Sequence, residues 1–126
     1  MLLGGWMGVS ALLAMLAAVP AGTANVTGTE LLSECSAAPD SAVDKQCVSY
    51  IAGVVDGIDT LLTSLRLLHP FNDAYPTLYC LPPATSAKDL VAPIVDYLRN
   101  HAATRHYGAS SEVLLALKQA YPCAGG

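Results

Sequence analysis

The chain has 126 residues, of which 53% are hydrophobic, ten are acidic and six are basic. The resulting net charge of −4 argues against binding to nucleic acid, because nucleic-acid sites require clusters of basic side chains. All of the charge lies after Ala24. The part that begins at Asn25 has the length of one domain.

Residues 1–24 form an uncharged apolar segment that is typical of an export signal. Pro20 ends the apolar run, and the small residues that lead to Ala21 and Ala24 suit a signal peptidase. We expect cleavage after one of these alanines, which leaves residues 25–126 as a single domain. The alternative is an uncleaved anchor helix, since no basic residue precedes the run and spanning a bilayer takes roughly 18–20 apolar residues.

Two helices are predicted in the first half of this domain. Thr27 and Glu30 have capping-box spacing ahead of a short helix that ends near Cys35, and a polar loop follows over residues 36–45. The second helix carries an apolar stripe in steps of three and four residues, of which we expect Ile51, Val54, Ile58, Leu61 and Leu65 to be buried. The stripe consists of Cys47, Ile51, Val54, Ile58, Leu61, Leu65 and Leu68. We expect Gly53 and Gly57 to form a groove against another helix, because glycine otherwise costs a helix stability.

Two further helices are predicted in the second half. The third begins at Thr85 or Ser86 and contains Pro93, which we expect to kink it. The fourth is capped by Ser110 or Ser111. No segment alternates with period two, so the expected fold is all-α: a small disulfide-stapled bundle of about four helices.

Four cysteines lie at the ends of the predicted helices: Cys35, Cys47, Cys80 and Cys123. An exported chain meets an oxidising compartment, where such thiols become disulfides. Of the three pairings, antiparallel helix geometry favours Cys35–Cys47 and Cys80–Cys123. The competing interpretation is a zinc site in which His101 and His106 join Cys80 and Cys123, but no Cys-x-x-Cys motif supports it. We therefore expect neither a metal nor a cofactor.

No pattern in the sequence predicts catalysis. Pairing of all four cysteines would leave no thiol nucleophile, and a Gly-x-Ser-x-Gly motif is missing. Asp56 and Asp59 fit a solvated helix face better than a pair of catalytic acids. We expect a protein that is not an enzyme and has no catalytic residues.

Two connecting segments are candidate partner-binding surfaces, namely residues 71–79 and residues 100–110. Their candidate contact residues are Asp73 and Tyr75 in the first segment and His101, Arg105, His106 and Tyr107 in the second. Tyr and Arg are the residues that most often anchor interfaces. The alternative is a structural role, in which Arg105 caps the third helix and Tyr107 covers the core.

Several short motifs, in this order along the chain, resemble the Rap/Tai family of immunity proteins. The first half of the family is matched by Leu31-Leu32 with Cys35 and by CVSYIAGVVDG at residues 47–57. The second half is matched by YCLPP at 79–83, DYLRNH at 96–101, RHY at 105–107 and ALKQAYPC at 116–123. Pro93, Ala102 and Gly108 depart from the family pattern in the third helix and the loop after it.

The resemblance implies a non-catalytic immunity protein of the bacterial periplasm. Members of the family bind amidase effectors that a type VI secretion system delivers and that cut peptidoglycan peptides with a catalytic cysteine. The implied partner is therefore a secreted amidase, with neither nucleic acid nor, after signal cleavage, a membrane. The sequence leaves open whether the chain also forms a homodimer. The alternative function is a periplasmic stress chaperone or another non-catalytic helical binding protein.

Overall fold

The computed structural model describes residues 25–70 and 75–124, so the expected export signal and Asp73 lie outside the described residues. The helices are α1 (Gly28–Cys35), α2 (Ala42–Leu68), α3 (Val91–Asn100) and α4 (Ala109–Ala120). The predicted all-α fold is confirmed for these two ranges. None of the helices within them has the length and the apolar composition that crossing a bilayer would need.

Both expected disulfides are present. Cys35 at the end of α1 is joined to Cys47 in the first turns of α2, with a Cα–Cα distance of 5.1 Å. Cys80 ahead of α3 is joined to Cys123 after α4, with a Cα–Cα distance of 5.0 Å. All four sulfurs are therefore occupied, and the alternative zinc site with Cys80 and Cys123 as ligands is wrong.

The hydrophobic core lies where α1, α3 and α4 meet the first half of α2. Its apolar members recur at intervals of three and four residues, as an amphipathic helix requires. The large side chains with the least exposure are Leu31, Ile51, Leu90, Ile94, Leu98, Val113 and Leu117. The short helices α1, α3 and α4 thus obtain their stability from packing rather than from helix propensity.

The long helix α2 extends beyond the elements that could cover it. Its 27 residues span about 40 Å, whereas the 10 residues of α3 and the 12 of α4 span about 15 and 18 Å. Ile51 is buried, and Val54 and Ile58 are half-buried against the core. Leu61 is 59% exposed. The predicted burial is therefore confirmed for Ile51 and wrong for Leu61, while Leu65, like Val54 and Ile58, is only half-buried.

The predicted packing of Gly53 and Gly57 against another helix is also wrong. A Cβ atom added to either residue would meet no neighbouring atom within 4 Å. Both glycines are exposed, on a flank of α2 that α1, α3 and α4 do not cover.

Capping side chains set the starts of α2 and of the segment before α3. The Ser41 hydroxyl accepts a hydrogen bond from the Asp44 N–H at 3.1 Å, so α2 begins within the stretch predicted as a loop. The Ser86 N–H donates to the Asp89 carboxylate at 2.8 Å and opens a 3₁₀ turn, Ala87–Leu90, which leads into α3. Pro93 lies in the first turn of α3. A proline there removes no intrahelical hydrogen bond of α3, so the expected interior kink does not arise.

The start of α4 differs from the prediction. The N-cap is Gly108, without a side-chain hydrogen bond, instead of Ser110 or Ser111. The Ala109 N–H donates to the Val26 carbonyl at 2.7 Å. A main-chain acceptor from a distant part of the chain thus replaces the expected serine cap.

Removing the two disulfides separately should destabilise the protein unequally. Cys80–Cys123 closes 43 residues and Cys35–Cys47 closes 12, and the chain-entropy model assigns about 1 kcal/mol more to the larger loop. We expect the Cys80→Ser/Cys123→Ser variant to lose about 2–5 kcal/mol of unfolding free energy in a urea titration. A larger loss in the Cys35→Ser/Cys47→Ser variant would contradict this order.

Substitution of Gly57 by alanine should stabilise the fold. The position has room for a Cβ atom, and alanine in a helix interior is favoured over glycine by roughly 0.5–1 kcal/mol. Urea unfolding at low protein concentration measures the effect. A loss of stability would show that Gly57 is packed after all.

Candidate partner-binding site

Main-chain hydrogen bonds fasten the α3–α4 loop (residues 101–108) to the start of α1. The Gly28 N–H donates to the Tyr107 carbonyl at 3.0 Å, and the Thr29 N–H donates to the Arg105 carbonyl at 2.9 Å. The first turn of a helix leaves such N–H groups without an intrahelical partner. The loop therefore caps α1 with its carbonyl groups, and its side chains are not needed for this task.

Gly28 brings the loop and the helix into close contact. An added Cβ atom would lie 3.0 Å from the Arg105 carbonyl oxygen and 3.1 Å from the Glu112 Cγ atom. Separations of this size are too small for ordinary packing, so any larger residue would have to displace the loop. The capping box starts α1 at the same place, where the Thr27 N–H donates to the Glu30 carboxylate at 2.7 Å. This bond lowers the pKa of Glu30.

Glu112 contacts the α3–α4 loop from the side of the core. Its side chain is fully buried, and its Oε2 atom accepts a hydrogen bond from the Thr104 hydroxyl at 3.2 Å. Its Oε1 atom has no hydrogen-bond partner within the described residues. Glu112 was not predicted as a site residue, since its only local signal is an acid in the first turn of α4, where the helix dipole favours negative charge.

His101 has a structural role. Its Nδ1–H donates to the Tyr97 carbonyl at 2.7 Å, and its ring stacks on the Tyr97 ring with centroids 3.8 Å apart. Asn100 donates to the Asp96 carbonyl at 2.9 Å. These two side chains thus bind carbonyl groups near the end of α3. Among the described residues no hydrogen bond joins the Arg105 guanidinium to α3, so the alternative in which Arg105 caps this helix is not observed.

Arg105, His106 and Tyr107 form the exposed part of the loop. Tyr107 is 55% exposed, which contradicts the alternative that it covers the core. The His106 ring lies against it, with centroids 4.2 Å apart. Arg105 is half-buried, and across residues 25–70 and 75–124 its guanidinium makes no ion pair. The structure thus groups three of the four predicted contact residues of this loop and places His101 beneath them.

The other candidate segment lies beside the end of α2. Arg66 Nη2 donates to the Tyr75 carbonyl at 3.4 Å and to the Thr77 hydroxyl at 3.3 Å. The Tyr79 hydroxyl donates to the Asp59 carboxylate at 3.3 Å, and burial together with this carboxylate raises the pKa of Tyr79 to about 12. Tyr75 therefore lies beside the end of α2, whereas Arg105 and Tyr107 lie beside the start of α1.

A family model decides the classification. The model of the Rap1a immunity proteins matches residues 27–123, which include all four helices and both disulfides. The chain belongs to the Rap1a family of immunity proteins. No curated protein and no solved structure gives a match. The match confirms the resemblance to the Rap/Tai immunity proteins that the sequence motifs indicated.

Substitution of Gly28 by alanine should destabilise this Rap1a protein by roughly 1–3 kcal/mol, because the added methyl group overpacks the contact with Arg105 and Glu112. Gly108→Ala is the matched control, since an added Cβ atom at that position meets no atom within 4 Å. We expect the control to change the free energy of unfolding by less than about 0.5 kcal/mol. Thermal and urea unfolding measure both variants. Equal losses of stability in Gly28→Ala and Gly108→Ala would contradict the importance of the close contact at Gly28.

Proposed function

We propose that this Rap1a protein is a periplasmic antidote that binds and inhibits a peptidoglycan amidase effector delivered by a type VI secretion system. It acts by binding and performs no chemistry of its own. The observation that carries the proposal is the family match over residues 27–123, which spans the whole disulfide-linked domain. Coexpression of the mature protein with secreted amidases of its own and competing strains tests it, because a cognate amidase should co-purify and lose its activity on peptidoglycan peptides.

The α3–α4 loop is our proposed contact surface. Its main chain is already fixed by the hydrogen bonds to Gly28 and Thr29, so little conformational entropy is lost when a partner docks. Tyr107 offers exposed apolar area with a hydroxyl group at its end. Arg105 offers a positive charge that suits an acidic group of the effector. His106 extends this surface.

We also propose that the protein is exported to the periplasm. Residues 1–24 act as a signal peptide that is cleaved after Ala21 or Ala24, and the mature protein meets the effector in the periplasm. The mass of the periplasmic form identifies the cleavage site. A version that starts at Asn25 should remain in the cytoplasm and fail to protect cells from the effector. Protection without the first 24 residues would contradict the periplasmic site of action.

The double substitution Arg105→Ala/Tyr107→Ala should weaken effector binding strongly, with little change in melting temperature. Removal of a central Tyr and Arg typically costs an interface at least about 2 kcal/mol, or roughly 30-fold in Kd. The main-chain hydrogen bonds of the loop do not depend on either side chain. Isothermal titration calorimetry measures binding, and circular dichroism measures the melting temperature.

The matched control is Arg66→Ala/Tyr75→Ala, which removes the same pair of residue types from the end of α2 and the candidate segment beside it. We expect this variant to bind the effector normally. Loss of binding in the control, with binding retained in Arg105→Ala/Tyr107→Ala, would move the interface to residues 75–79. If the protein bound no amidase and instead suppressed the aggregation of unfolded proteins, a periplasmic chaperone would replace the antidote.

A further inference from the structure

The two disulfides differ in their access to solvent. Cys35 and Cys47 are 8% and 0% exposed, so the core covers the bond between them. Cys80 is exposed and Cys123 is half-buried. Exchange with an external thiol requires a thiolate to reach one of the two sulfur atoms of the bond. Cys80–Cys123 is therefore the bond that a thiol reaches most easily while the protein is folded.

A pocket of about 320 Å³ adjoins the exposed disulfide, and Cys123 forms part of its wall. The rest of the wall consists of residues 76–78, Lys118 and Pro122. Among these lining residues Lys118 alone is charged, and within residues 25–70 and 75–124 it makes no ion pair. A pocket of this size holds a small molecule. The cation at its wall favours a molecule that carries a carboxylate.

We propose that the Cys80–Cys123 disulfide is a site of reversible S-thiolation and that the adjoining pocket receives a small anionic thiol. The thiolate of this molecule bonds to the Cys80 sulfur. The bond between the two protein sulfurs breaks, and its electron pair leaves on Cys123, which takes up a proton. A second thiol molecule that attacks the mixed disulfide releases Cys80 as a thiol. Two electrons then pass to the protein, and the two small thiols are joined as a disulfide.

The surroundings of the two sulfurs determine which one is attacked. Cys80 is the more exposed residue, so the incoming thiolate meets its sulfur first. Cys123 shares the pocket wall with Lys118. A cation beside a sulfur favours its thiolate form, and a stabilised thiolate is the better leaving group. Attack at Cys80 with departure of Cys123 is therefore the favoured direction.

The chain stays together around the broken bond, which makes the modification reversible. The Cys80 N–H donates to the Tyr121 carbonyl at 2.8 Å, and this hydrogen bond does not involve either sulfur. Tyr79, the neighbour of Cys80, is only 7% exposed and anchors the segment in the core. The Cys123 thiol thus remains close to the mixed disulfide and can displace the small thiol again.

Incubation of the folded mature protein with glutathione, an anionic thiol, tests the site directly. After the reaction is stopped with acid, peptide mapping by mass spectrometry should find glutathione on Cys80. The Cys80–Cys123 bond should react at least about tenfold faster than Cys35–Cys47, because a buried bond must first be uncovered by local unfolding. In concentrated urea, where both bonds are exposed, the difference should largely disappear.

The role of the pocket is tested by the charge of the thiol. Cysteamine is a small thiol with an ammonium group in place of the carboxylates. In Lys118→Glu the ratio of the glutathione rate to the cysteamine rate should fall at least about twofold relative to the parent. Lys45→Glu is the matched control, since it makes the same change of net charge at an exposed position of α2 and should leave the ratio unchanged.

Three results would overturn the proposal. They are equal rates at the two disulfides of the folded protein, glutathione on Cys123 instead of Cys80, and the same rate ratio in Lys118→Glu as in Lys45→Glu. Mapping of the parent requires no substitution, so it decides the first two points even if a variant does not fold. Neither measurement involves an effector, so the outcome is independent of the proposed antidote function.

Discussion

The main-chain pairing between the start of α1 and the α3–α4 loop is the constraint on which the arrangement of the domain depends. It joins Thr29 to Arg105, which lie 76 residues apart in the chain. Helix α1 has only eight residues and would not be stable alone. The loop carbonyls satisfy its first N–H groups, the buried Leu31 anchors it in the core, and a disulfide fixes its last residue.

The same pairing separates the inner contacts of the loop from its exposed side chains. Carbonyl groups, Thr104 and His101 form its inner contacts, whereas His106 and Tyr107 remain exposed. A protein that acts by binding benefits from this division, because the exposed side chains can differ between relatives without loss of the fold. The Cys80–Cys123 disulfide adds to the rigidity by tying the end of α4 to the segment before α3.

Local patterns in the sequence predicted the features that depend on neighbouring residues. The capping box of Thr27 and Glu30, the cysteine positions at the helix ends and the all-α class belong to this group. Family motifs added the expected partner class. The contact of Gly28 with Arg105 and Glu112 was not predictable, because nothing near Gly28 in the chain indicates which distant loop packs on it.

The errors have a common physical cause. Helical periodicity shows which residues of α2 share a side, but not how far the neighbouring helices reach along it. Leu61 and Gly57 were expected to pack within the chain, but Leu61 is mostly exposed and Gly57 lies on a flank of α2 that the short helices do not cover. In the same way, the serines after Gly108 suggested a local cap for α4, whereas the Val26 carbonyl accepts the hydrogen bond from Ala109. Such outcomes depend on contacts between distant parts of the chain.

Hydroxyl-radical footprinting of the mature protein, alone and saturated with the proposed amidase effector, tests most directly whether the α3–α4 loop is the contact surface. The reactivity of Tyr107 and His106 should be high in the free protein, since both are exposed, and should fall strongly in the complex. Leu115, which is exposed on α4, should keep its reactivity and serves as the internal reference. Full reactivity of Tyr107 in the saturated complex would show that the effector binds elsewhere.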